Sequence, residues 1–137
     1  MLWFDARTGI EMIERWDCLQ LLAGETIGRL AIIEGGHPLV LPVNYVLHGE
    51  EVVFATNEGS KLAASRGGHA CFEIDGFDRD RRTGWSVIVR GRLERLSAIE
   101  RTVLEAADSS PDPWTGHRTD LVHLVPEEMS GRRVRPR

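Results

Sequence analysis

"IGRLAIIEGGHPLVLPVNYVLHGEEVVFAT" runs from Ile27 to Thr56, and in it the period of the chain becomes that of a strand. Three runs rich in Val, Ile and Leu, at Ile27 to Ile33, Pro38 to Leu47 and Glu51 to Thr56, are separated by "EGGH" and "HGE". Branched aliphatic runs divided by glycine-bearing turns predict three strands in a meander. Pro42, inside the second run, has no N–H for a ladder and belongs at an edge or a bulge.

Upstream, "DCLQLLA" (Asp17 to Ala23) predicts a short helix with Asp17 as N-cap and Gly24 as the stop. Downstream, "ACFEID" (Ala70 to Asp75) and "WSVIVRGRLERLS" (Trp85 to Ser97) flank the charged loop "GFDRDRRTG". Trp85, Val87, Val89, Gly91 and Leu93 alternate with Ser86, Ile88, Arg90, Arg92 and Glu94, which predicts a strand with one buried face, Ile88 excepted. "AIERTVLEAAD" (Ala98 to Asp108) predicts an amphipathic helix and "RTDLVHLVP" (Arg118 to Pro126) a last strand. Six strands with short antiparallel connections and two or three helices predict a mainly β protein, a closed or nearly closed barrel.

The 137 residues, 42% hydrophobic, suffice for the core of one domain. A net charge of −4 gives no general field for a polyanion, so nucleic acid is not an expected partner, and nine aromatics in an acidic chain argue against an OB-like nucleic-acid barrel. The start lacks a signal-peptide core, and no stretch approaches the ~20 apolar residues that span a bilayer. A soluble cytoplasmic protein without membrane contact is expected. Cys18 and Cys71 share no C-x-x-C spacing and predict reduced, buried thiols. The five histidines show no zinc spacing, so no metal is expected, and His69 and His123, at or in strands, read as structural.

Sixteen of the seventeen basic residues are arginine, and the exception is Lys61, in "TNEGSKLAASRGG" (Thr56 to Gly68). The strand ending at Thr56 leads through "NEGS" into "KLAASR", which predicts under two turns of helix. Its first backbone N–H groups, those of residues 60 to 63, would converge with two hydroxyls and an ammonium on an oxyanion. Taken alone the pattern also fits an ordinary helix start, with Ser60 as cap and Lys61 in solvent, because it is not G-x-x-x-x-G-K-[ST].

The order G-R-L, P-V-N-Y, T-x-x-G-S-K, F-E-x-D, G-W-S-V and G-R-R, spread over about Cys18 to Val134, resembles the pyridoxamine 5'-phosphate oxidase-like superfamily in its short bacterial branch. The resemblance implies a six-stranded split β-barrel that forms homodimers and holds FMN at the subunit interface. It places Thr56, Ser60 and Lys61 at the phosphate, with Leu62 also among the cofactor-binding residues. It places Pro42, Val43, Asn44 and Tyr45 along the isoalloxazine ring, with backbone groups meeting its polar edge, and Trp85, Ser86 and Val87 closing the site. Arg132 and Arg133 match the terminal motif, and their target among cofactor, substrate and partner subunit stays open. No counterpart of the vitamin B6 enzyme's C-terminal substrate segment is present, which argues against that activity.

The expected function is that of an FMN-dependent oxidoreductase acting on a small molecule, with no catalytic residue singled out, because hydride uptake at the flavin needs no protein acid or base. A non-catalytic flavin-binding or sensing protein is the alternative from another class. A deazaflavin-dependent reductase is a further one, since Arg90, Arg92 and the terminal arginines suit an oligoglutamate tail. Haem, which would need His69 or His123 as axial ligand, is the least expected cofactor.

Overall fold

The computed structural model describes residues 4–5, 7–56, 68–107 and 120–135. In chain order they form β1 (Phe4–Asp5), β2 (Ile10–Ile13), α1 (Arg15–Ala23), β3 (Ile27–Glu34), β4 (His37–His48), β5 (Glu51–Thr56), β6 (His69–Asp78), β7 (Thr83–Arg95), α2 (Ala98–Ala106) and β8 (Asp120–Val134). Two glycine turns set the register of the meander. Gly35 and Gly36 have φ of 57° and 80°, so both central residues of the β3–β4 turn are left-handed, which matches the strands' twist and which glycine adopts without a Cβ penalty. Gly49, at φ 62°, opens the β4–β5 turn in the same way.

The strands close into a ring, β8–β5–β4–β3–β6–β7 and back to β8, all antiparallel. This is the six-stranded, mainly β barrel expected of the sequence, enlarged by β1 and β2, which continue the sheet from the far end of β8. β5 holds β4 only over Tyr45–His48, so Pro38–Asn44 pairs with β3 alone among the described residues. Pro42 lies in that stretch, opposite Arg29, where its missing N–H costs no ladder bond on the open side.

Alternation fills the barrel. Leu30, Phe72, Ile74, Val87, Val89, Val122 and Leu124 are fully buried on the inward faces, each contributing about 1.5–3 kcal/mol relative to exposure. Gly28 faces inward because Phe72 needs the space: a Cβ there would lie 2.1 Å from Phe72 Cζ. α1 packs on the barrel through Cys18 and Leu22, both without exposed surface. Both thiols are free, and burial pushes each of them up from its ordinary pKa.

Three local expectations need correction. Glu14, not Asp17, caps α1 and makes no side-chain hydrogen bond there; Asp17 sits in the first turn, where a carboxylate favours the helix dipole. α2 ends at Ala106, before the expected Asp108, and begins with a capping box in which Ser97 Oγ accepts from the Glu100 N–H and the Glu100 carboxylate accepts from the Ser97 N–H, both at 3.1 Å. Ser97→Ala is expected to cost about 1 kcal/mol, read as a lower urea midpoint. The last strand passes Pro126, where it was expected to end. A bulge at Glu127 sets Gly91 against Pro126 and Arg90 against Glu128, so the proline stands beside the bulge, where the ladder is locally disrupted. Among the described residues, no helix is long and apolar enough to cross a membrane.

Candidate functional site

The P-V-N-Y strand presents two different faces. Val43 packs against the core and Tyr45 is buried, while Pro42 and Asn44 alternate to the outside. The Tyr45 hydroxyl donates to the Leu22 carbonyl at 2.5 Å, its N–H donates to Thr26 O at 3.0 Å, and its ring meets Phe72 edge-on with centroids 4.8 Å apart. Burial holds the phenol well above its usual pKa, so it stays protonated as a donor. The Tyr45 side chain therefore joins α1 to the barrel. Only Pro42 and Asn44 are turned towards an outer wall.

The G-W-S-V strand is divided in the same way. Val87 has no exposed surface and is a core residue, so its side chain is withdrawn from the expected site. Ser86 faces outward and is half-buried. Trp85 packs on the edge of the core, with its indole over Gly76, where a Cβ would lie 2.7 Å from Nε1. The long β8 brings the terminal motif alongside: Arg133 pairs with Trp85 and Arg132 with Ser86. Ending the strand at Pro126 would have hidden this juxtaposition.

Thr56 closes β5 opposite Asp120, at the point where the chain enters the expected phosphate segment. Ser60, Lys61 and Leu62 lie outside the described residues.

A cleft of 670 Å³ opens at the Trp85 end of the barrel, lined by Glu25, Gly76, Phe77, Trp85, Arg133 and Arg135 among others. Its volume is that of a small-molecule site. Glu11, largely buried beneath, lies 3.1 Å from Arg135 and 4.0 Å from Arg133, and so holds both guanidiniums at the rim.

The outer face of β4, β3, β6 and β7 carries Asn44 and Ile27 directly opposite each other, then Asp75 and Ser86 directly opposite each other. Asn44 and Ser86 thus both face out of the barrel, but on strands separated by β3 and β6, three strand spacings or about 14 Å along the curved sheet. Between them Arg29 bridges two carboxylates, at 2.8 Å to Glu73 and 2.9 Å to Asp75. Burial and a hydrogen bond with Asp75 push the Glu73 carboxyl up, against the lowering by Arg29. The folded protein then holds a proton that the unfolded chain releases, so ionising Glu73 costs stability as pH rises from about 4 through its raised pKa. Glu73→Gln is expected to flatten that fall in urea titrations across the acid range.

Among the described residues, no group of three or more potential ligand side chains can hold a metal ion. His123 is buried, with Nδ1 on Glu51 and Nε2 3.5 Å from Glu94, so both nitrogens are engaged, as expected of a structural histidine. His69 is exposed and lies 3.8 Å from Glu127.

The sequence matches the family model described as pyridoxamine 5'-phosphate oxidase over residues 14–133. The chain belongs to that family. Among solved structures it is similar to the FAD binding protein from Mycobacterium smegmatis, with 30% identity and a TM-score of 0.73, covering 91% of this chain and 98% of that one. A FAD-binding protein from Mesorhizobium loti, 22% identical with a TM-score of 0.70 and covering 91% of this chain and 98% of the other, shares the fold. An uncharacterized protein of Mycobacterium tuberculosis is 29% identical over 136 residues, 94% of this chain and 88% of its own length.

Proposed function

We propose that this protein binds a flavin between two copies of the chain and acts as a flavin-dependent oxidoreductase on a small molecule. The observation that carries the reading is the division of the expected site. Asn44 and Ser86 both face out of the barrel but stand three strands, about 14 Å along the curved sheet, apart, with the Arg29 cluster between them. Two copies, opposed, set Pro42 and Asn44 of one protomer against the partner's Ser86, and the ring fits between them. The exposed apolar Val40, on the singly paired half of β4 and on the face of Pro42 and Asn44, is surface a second copy would cover.

The residues present suit such a group. The cleft offers an indole wall with a guanidinium rim, which suits a planar aromatic carrying phosphate. When bound, the flavin supplies hydride exchange at its ring. The chain supplies position: Trp85 and Asn44 orient the ring, Thr56, Ser60, Lys61 and Leu62 hold the phosphate, and the closing partner excludes water.

FMN follows from the motifs, and FAD stands beside it because a relative of 30% identity is named for binding it. The deazaflavin coenzyme remains a third candidate. Titration of the purified protein with each, followed in the visible spectrum, is expected to give saturable binding of a flavin. Reduction of the bound flavin by NADH or NADPH separates an oxidoreductase from a carrier. Failure of all three ligands to bind would refute the reading.

A further inference from the structure

The tip of the β6–β7 hairpin carries features that the flavin ring leaves unused. Phe77 is 75% exposed, and its ring crosses to Gly84 on the neighbouring strand, where a Cβ would lie 2.5 Å from Cδ1. A second groove, of 470 Å³, is lined by Phe77, Arg79, Arg82 and Val134 among others, and shares Phe77, Asp78, Thr83, Gly84 and Val134 with the Trp85 cleft. The two spaces adjoin.

Two cations there are uncommitted. Arg81 is anchored to Asp78, its N–H donating to Oδ1 at 3.0 Å and its side chain lying 3.9 Å from Oδ2. Arg79 and Arg82 make no ion pair among the described residues. Arg82 is also the described non-glycine residue with positive φ, 54°, at the end of a four-residue turn where glycine or asparagine would sit without strain. A long charged side chain kept in a strained conformation, beside an exposed ring, is a feature that folding alone does not call for.

We propose that this groove binds an adenosine diphosphate group, with Phe77 stacking on the adenine and Arg79 and Arg82 meeting the diphosphate. An exposed phenyl ring offers a π-face to a base, guanidiniums pair bidentately with phosphate oxygens, and Asp78 offers an acceptor to the ribose or the adenine amine. The group could reach the groove as the second half of FAD or as part of a nicotinamide dinucleotide donor. The source of the group rests on the flavin reading; its binding does not.

The test is a calorimetric titration of flavin-free protein with ADP, for wild type, Phe77→Ala and Arg82→Gly. ADP is expected to bind wild type, and each variant to lose about tenfold in affinity, the effect of one good contact. Arg82→Gly, relieved of its left-handed strain, is expected to melt no lower than wild type, which separates lost binding from lost folding. FMN and FAD titrations then identify the source. If FAD exceeds FMN in wild type and the gap closes in the variants, the group is the cofactor's own. If the gap is absent and the variants raise KM for NADPH, it is the donor's. No ADP binding by wild type, or undiminished binding by both variants, overturns the proposal. So does Phe77→Ala abolishing the dimer without ADP binding, which would make Phe77 a subunit contact. Absence of FMN and FAD binding would count against the flavin reading, while the ADP titration would still decide the groove.

Discussion

Gly28→Ala is expected to destabilise the protein by about 3 kcal/mol, at the upper end of what overpacking costs. The added Cβ would meet three atoms of the Phe72 ring, at 2.1, 2.6 and 2.9 Å, and none belongs to a flexible chain end. Phe72 cannot step aside, because Tyr45 packs edge-on against it and is itself fixed through its hydroxyl to Leu22. The strain would therefore spread into β3 and β6, whose pairing runs through Leu30 and Phe72. Urea denaturation checks the size of the loss. The double variant Gly28→Ala/Phe72→Leu checks the cause: a smaller ring-less side chain should recover part of the stability, so the two changes should be strongly non-additive. Simple addition of the two losses would show that the glycine is needed for another reason.

Lys61→Ala is expected to weaken FMN binding by about 1.5–3 kcal/mol, the scale of a hydrogen bond to a charged group, and to leave riboflavin binding almost unchanged. The contrast isolates the phosphate, because the two ligands share the ring and differ at that group. Lys61→Arg should also lose affinity, since a planar fork does not replace a compact ammonium in a tight corner. Equal losses for FMN and riboflavin would remove Lys61 from the phosphate site. Full affinity in the arginine variant would remove the meaning of a lone lysine among arginines.

The barrel was legible in the sequence because its signals are local. Gly35, Gly36 and Gly49 mark turns wherever they fall, and the alternation from Trp85 to Leu93 states which side chains face inward. The N-terminal strands were not legible. Ile10–Ile13 is too short to show a period, and its Glu11 is buried only because Arg133 and Arg135, over a hundred residues away, meet it. The passage of β8 through Pro126 was hidden for the same reason, since a bulge depends on the partner strand. In the candidate site, motif order singled out strands but not the faces of their residues. Tyr45 and Val87 point into the core, while Ser86 and Asn44 point out. Glu73 and Asp75 carried no separate signal beyond the F-E-x-D string, because their pairing with Arg29 is made across strands.

If one flavin site is completed by two copies of the chain, sedimentation velocity followed in the flavin's visible band will show it. The protein, saturated with FMN or FAD and freed of excess ligand, should show colour moving with a species of about twice the 15.4 kDa chain mass. Colour moving with a single chain, or no colour moving with protein at all, would contradict it.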